Sequence, residues 1–164
     1  SELLRATLDT SAQEISLRKE LDFLNRYLEI QQARFGDRLR IEKEIDAGAL
    51  DALVPTLVLQ PLVENAVRHG IEPHPASGIL TIRARREGDV LRLVVRDAGG
   101  GPKPAPKAQE GIGLANTKAR LQELYGSRAR LTLTTGADGG FTAEMEFPFH
   151  ESPTATAISA GPEP

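Results

Sequence analysis

A two-layer α/β sandwich preceded by a helical extension is the fold class that this 164-residue sequence predicts. Three observations carry that expectation. Apolar residues recur at helical spacing through the first 36 residues, the period shortens to two in five stretches beyond Arg38, and two more helical stretches lie among those five. The strands alternate apolar and polar residues, so one sheet face meets solvent, and the helices suffice to cover the other.

In chain order, Leu17, Leu21, Leu24, Leu28 and Phe35 form the first helical stripe, and Gly36 ends it. Ser11 with Glu14 offers a capping box and Ser16 a second N-cap, so a short helix is expected ahead of a longer one. The seam suits packing on its own domain and equally suits pairing with a second helix or subunit. Leu39, Ile41 and Ile45 mark the first strand. Pro55 to His69 reads as a helix with Leu59, Leu62, Val63 and Ala66 inward. Leu80 with Ile82, and Leu91 with Leu93, mark two more strands. Asn116 to Tyr125 reads as the next helix, with Asn116 as its N-cap. Leu131 with Leu133, then Phe141, Met145 and Phe147, complete the five strands. Residues 151–164 are small and polar and are expected to be a disordered tail.

Composition narrows the function. With no cysteine, a disulfide framework, a thiolate metal site and a cysteine nucleophile are excluded. A net charge of −3 with interspersed signs and no basic stripe argues against a nucleic-acid surface. No apolar run is long enough to span a bilayer. The chain starts at Ser1 and its one methionine is Met145, so a fragment of a longer protein is expected. Glycine and proline are concentrated: five of fifteen glycines and three of eleven prolines fall between Gly99 and Gly113.

Three groups of residues can carry chemistry. On the helix Pro55 to His69, Asn65, Arg68 and His69 are neighbours at i, i+3 and i+4, bringing together a carboxamide, a guanidinium and an imidazole. An asparagine oxygen suits Mg²⁺ and an arginine suits phosphate, while Glu64 and Arg68 also fit an ordinary surface ion pair. Asp97 ends a strand and enters Ala98-Gly99-Gly100-Gly101. That carboxylate suits an Asx turn, or a hydrogen bond from the exocyclic amine of a flat ring that the glycines let approach. Gly111-Ile112-Gly113-Leu114 precedes the next helix, where exposed N–H groups suit phosphate. Between the glycine pairs, Pro102 to Glu110, with Lys103 and Lys107, reads as a surface loop or as a lid over a ligand.

Taken together, these residues resemble a known family. Leu59-Gln60-Pro61-Leu62-Val63-Glu64-Asn65-Ala66-Val67-Arg68-His69-Gly70 resembles the N box of the GHKL ATP-binding superfamily, in the form found in LytS-type sensor histidine kinases. Asp97-x-Gly99-x-Gly101 resembles the G1 box, and Gly111-Ile112-Gly113-Leu114-Ala115-Asn116, with Arg120-Leu121 and Tyr125-Gly126, resembles the G2 box and its helix. Tyr27-Leu28, Gln31 and Arg34-Phe35 resemble the helix upstream of the catalytic domain in that family, so the likeness runs from about residue 14 to 149.

The resemblance implies a Bergerat-type sandwich, a mixed sheet of about five strands covered by helices, that binds ATP with Mg²⁺. It implies residues 1–36 as the end of a dimerisation region and linker, and 37–150 as the ATP-binding domain. Asn65 would be the Mg²⁺ ligand and Asp97 the partner of the adenine amino group. Gly99 and Gly101 would shape the adenine pocket, and Gly111, Gly113 and Leu114 would lie at the phosphates with Lys107 of the lid. Arg68 sits where related kinases place a phosphate contact, and His69 where they place a ring near adenine. Hydrolysing relatives carry a water-activating Glu one turn before the Mg²⁺ ligand. Here that position is Pro61, so Glu64 either polarises a metal-bound water or pairs with Arg68, and weak intrinsic ATPase is implied.

Two departures stand out. Ala98 replaces the usual Asn of the G1 box, removing a polar side chain beside the nucleotide. The family's phosphoacceptor His-Phe-Leu-Phe-Asn context is absent from this sequence, whose histidines are His69, His74 and His150. The implied activity is therefore that of a protein-histidine kinase catalytic part, passing the γ-phosphate to a histidine on an upstream region. The implied partners are a response regulator and, in the full-length protein, a second copy; the implied location is the cytoplasm, as a free or membrane-anchored sensor. A nucleotide-binding regulatory module without transfer is the alternative, and an anti-sigma-type serine kinase is disfavoured by the LytS-like N box.

Overall fold

The computed structural model describes residues 13–74, 76–99, 112–137 and 139–151. Its centre is a five-stranded mixed sheet built from β2 (Leu39–Ile45), β4 (Gly78–Glu87), β5 (Val90–Gly99), β6 (Arg130–Thr135) and β7 (Phe141–Pro148), in the order β2-β4-β5-β7-β6. The β2 and β4 strands run parallel and the other neighbours antiparallel. The five stretches of period-two sequence are these five strands. A two-residue turn joins β4 to β5, made possible by the positive φ of Gly88.

Register explains the two faces. Ile82 lies opposite Val95, Leu93 opposite Met145 and Leu91 opposite Phe147, so one face is a continuous apolar surface of buried side chains. On the other face Arg92 meets Glu87, Glu144 and Glu146 in solvent-accessible ion pairs. The helices α1 (Leu17–Phe35), α2 (Gln60–Ala66) and α3 (Ile112–Tyr125) contribute Leu17, Leu24, Leu62 and Leu121 to the same core cluster as the sheet. The result is the two-layer sandwich that the sequence predicts.

Residues 14–16 depart from the expected helix. They form a short strand, β1 (Glu14–Ser16), antiparallel to β3 (Leu53–Pro55). Of the expected capping box, Glu14 therefore lies in a strand and Ser11 lies outside the described residues. Ser16 is the true N-cap: its Oγ accepts from the Lys19 N–H at 3.2 Å and α1 starts at Leu17. Gly36, at φ +56°, ends α1 as expected, and the Gln32 side chain donates to the carbonyls of Gly36 and Leu39 just beyond.

Two helix boundaries also shift. The second helix begins at Gln60 and not at Pro55, because Leu53–Pro55 is taken by pairing with β1. The third begins at Ile112 and not at Asn116, so Asn116 lies within the helix and Gly113 in its first turn. Glycine has low helix propensity, which hides such a start from a sequence reading. Of the expected tail 151–164, Glu151 is instead bridged to Ala52, and residues 152 onward lie outside the described residues.

Candidate functional site

The site lies where α2 meets the end of β5. Helix α2 buries Leu62, Val63 and Ala66, with Leu59 at its N-cap, and this is the stripe expected from the sequence. Its far end does not continue as α-helix. Val67–Ile71 form a π-helical turn, closed by the Glu72 N–H donating to the Val67 carbonyl at 2.8 Å. Such turns concentrate at functional sites because the extra residue re-aims side chains. Here it leaves Arg68 and His69 exposed and turns Gly70 and Ile71 inward.

Period-two alternation sends Leu91, Leu93, Val95 and Asp97 of β5 to the helix-covered face. Asp97 is thus a carboxylate in an apolar layer, at 1% exposure. A Cβ on Gly70 would stand 2.3 Å from the Asp97 carboxyl carbon and 2.5 and 2.6 Å from its two oxygens. Only glycine admits this approach of backbone to carboxylate, so the π turn and the end of β5 are matched to one another. The sequence places Asp97 at a strand end before glycines; the role of Gly70 needs the tertiary contact.

Asn65 and Glu64 are half-buried near the end of α2. The Gln60 amide donates to Glu64 Oε1 at 3.0 Å, one turn back. Helix α1 flanks this group. The Tyr27 phenol is pushed up by burial first and by the Glu64 charge second, while Arg68 and Arg34 oppose the shift. Arg34 itself bridges to Glu72 beyond the π turn at 2.8 Å.

The first turn of α3 lies against the start of α2. A Cβ on Gly113 would meet Pro61 at 3.4 Å, and the Thr117 hydroxyl donates to the Gly113 carbonyl at 2.8 Å. Leu114 is 3% exposed and belongs to the core cluster. Gly99 ends β5, paired with Gly78. Gly101, Lys107, Gly111 and the rest of the expected lid lie outside the described residues.

Two polar residues hold the turn ahead of α2 in a way that the sequence alone does not assign to them. Glu20 of α1 is 2% exposed and accepts from the Leu57 and Leu59 N–H groups at 2.9 and 2.8 Å, just ahead of α2. Arg120 of α3 donates to the carbonyls of Thr56 and Gln13. One signal does mark Glu20: it stands three residues after Leu17 and four before Leu24, on the apolar stripe.

Among the described residues no group of three or more His, Asp or Glu is placed to hold a metal on its own. Mg²⁺ seldom uses such a cage; it takes one or two protein oxygens and completes its shell with water and phosphate. The Asn65 carboxamide, with Glu64 adjacent, fits that donor set.

Comparison with known proteins shows the family and the fold. Residues 51–151 match the family described as Histidine kinase-, DNA gyrase B-, and HSP90-like ATPase, and residues 1–39 match the family described as Histidine kinase. The chain is 39% identical over 122 residues to the sensor histidine kinase YpdA of Escherichia coli, covering 70% of this chain and 21% of that protein. It is 33% identical over 163 residues to the sensor protein LytS of Oceanobacillus iheyensis, covering 91% of this chain and 28% of that protein. The chain thus spans about a quarter of these relatives' length. Among solved structures, the catalytic domain of histidine kinase ThkA superposes with a TM-score of 0.63 at 17% identity, covering 85% of this chain and 97% of that one. A histidine kinase domain from Erythrobacter litoralis superposes at 0.59 and 21% identity, covering 82% of this chain and 61% of that one.

Proposed function

Because this chain belongs to the family of histidine kinase-, DNA gyrase B- and HSP90-like ATPases, we propose that it binds ATP with Mg²⁺ and presents the γ-phosphate to a histidine on an upstream region of a sensor kinase. The observation that carries the reading is the buried Asp97 carboxylate held against Gly70. A carboxylate in an apolar layer suits a flat heterocycle with an exocyclic amine, because it can accept that N–H.

The remaining roles follow from position. Asn65 would hold Mg²⁺ through its carboxamide oxygen. Bound there with the nucleotide, the metal supplies charge neutralisation at the phosphates, the main requirement of phosphoryl transfer. Exposed Arg68 is free to reach phosphate oxygens, and His69 beside it to meet the nucleotide edge. Gly113, in the first turn of α3, offers backbone N–H to phosphate, and Gly99, Gly101, Gly111, Leu114 and Lys107 complete the site as the resemblance implies. Glu64, held by Gln60, lies one residue from the metal ligand and not one turn before it, which suits transfer to a supplied acceptor better than hydrolysis.

The same reading treats residues 1–36 as the end of a dimerisation region and linker, 37–150 as the ATP-binding domain and 151–164 as a tail. It makes a second copy and a response regulator partners of the whole protein, acting in the cytoplasm. Among the described residues no helix is long and apolar enough to cross a membrane.

Transfer is tested by supplying a separate fragment bearing the upstream histidine helix, with γ-labelled ATP. Label is expected on that fragment and not on this chain. Label retained by this chain alone contradicts the assignment of an upstream acceptor, and nucleotide binding with no label on the fragment favours the regulatory-module reading. Asn65→Ala is expected to abolish the Mg²⁺ dependence of ATP binding, read by titration with and without the metal.

A further inference from the structure

Glu20 takes no part in the chemistry above, yet it is the most buried acidic side chain of α1, at 2% exposure among leucines. Burying a carboxylate is costly unless hydrogen bonds replace the lost water. Its two oxygens are accordingly spent on backbone: Oε1 on the Leu57 N–H and Oε2 on the Leu59 N–H. Burial pushes this carboxyl up from its ordinary value, and the N–H groups of Leu59 and Leu57 and the charge of Arg120 pull against that shift.

The backbone that receives this help needs it. Leu57 sits at φ +60°, a left-handed conformation disfavoured for a residue with a Cβ. Helix α2 begins three residues later, with Leu59 at the N-cap and no side chain of its own capping the free N–H groups. Arg120 of α3 donates to the Thr56 carbonyl and to the Gln13 carbonyl ahead of β1, and its charge acts on Glu20. The turn 56–59 is therefore clasped between an acid from α1 and a base from α3.

We propose that Glu20 is a positioning residue for the nucleotide site: its carboxylate fastens the start of α2 to α1 and thereby sets where Asn65 stands. An apolar side chain would fill the same volume without capping α2. Since α2 is short, a shift at its start is carried directly to Asn65 six residues after Leu59. A displacement of α1, which lies within the segment 1–39 matched by the Histidine kinase family, thus reaches the metal ligand through one side chain. This inference rests on the assignment of Asn65 and Asp97 made above.

Glu20→Gln in the 164-residue chain tests it, since it keeps the volume but turns an NH₂ group toward one of the two backbone donors. Amide hydrogen exchange over residues 60–70 is expected to lose about tenfold protection while the amides of β5 and β7 keep theirs, the scale of a lost helix cap. At a temperature where the variant is fully folded, the gain in ATP affinity on adding Mg²⁺ is expected to shrink about tenfold, with metal-free affinity nearly unchanged. A purely structural role would weaken both affinities by one factor, and that result overturns the proposal, as does wild-type protection or a wild-type Mg²⁺ gain. Should Glu20→Gln not fold, Arg120→Gln releases the turn from its other side and is read by the same two measurements. Wild-type chain that binds no ATP overturns the site assignment together with this inference, whereas wild-type binding with an unaltered variant overturns the inference alone.

Discussion

Gly70 and Asp97 form the pair on which the site turns. The distances leave no room for a methyl group, and the carboxylate it would displace is enclosed by the core. Gly70→Ala is therefore expected to push the Asp97 carboxylate aside and weaken ATP binding by about fivefold or more, while the far edge of the sheet at β6 keeps its amide protection. An alanine variant that binds ATP as the wild type does would show that the contact is incidental. Half of this pair is legible in the sequence: alternation from Leu91 through Val95 is enough to put Asp97 on the inner face. The other half is not, because Gly70 reads as the residue ending a helix, and only its π turn and its neighbour on β5 explain it. Arg68 and His69 show the same limit. Their spacing predicts convergence with Asn65 on an α-helical face, and the π turn replaces that spacing with its own.

Among elements, the strands are the most legible, because five alternating stretches sort themselves into one apolar and one charged face without knowledge of their order. The β1 and β3 strands are illegible since three residues are too few to display a period, and their pairing moves the start of α2 by five residues. That short ribbon is anchored chemically. Tyr125, at the end of α3, stacks on Phe147 and donates to Glu14 of β1 at 2.6 Å, and His150 Nε2 stands 2.8 Å from the same oxygen. Burial, then the hydrogen bond to Glu14, pushes the Tyr125 phenol up. The folded state thus keeps a proton that the unfolded chain loses near pH 10, so this group's stabilisation is intact below about pH 10 and lost as pH rises beyond it. Tyr125→Phe removes that loss. Denaturant midpoints measured from neutral to alkaline pH are expected to fall less steeply above about pH 10 in the variant than in the wild type. Parallel curves would mean that neither burial nor the Glu14 bond holds the proton on Tyr125.

At the scale of the whole molecule, three helices share one face of the sheet, and each brings one component to the same corner: α2 carries Asn65, α3 opens at Gly113, and α1 sends Glu20 to the turn between them. The opposite face, with Arg92 among three glutamates, gains little from its ion pairs, so the fold rests on the apolar layer and not on that charged one. The sandwich and the order of its chemical groups can be read from the sequence, whereas the joints between helices cannot, since Glu20 and Arg120 reach backbone atoms dozens of residues away. As proposed, the corner formed by α2 and the end of β5 takes the adenine. Calorimetric titration of wild-type and Asp97→Asn chains with ATP and with GTP, both in the presence of Mg²⁺, tests it most directly. Wild type is expected to bind one ATP in preference to GTP, and Asp97→Asn to lose about tenfold or more in ATP affinity, the scale of one hydrogen bond to a charged group. Equal binding of ATP by both chains, or no preference of the wild type for ATP over GTP, would contradict it.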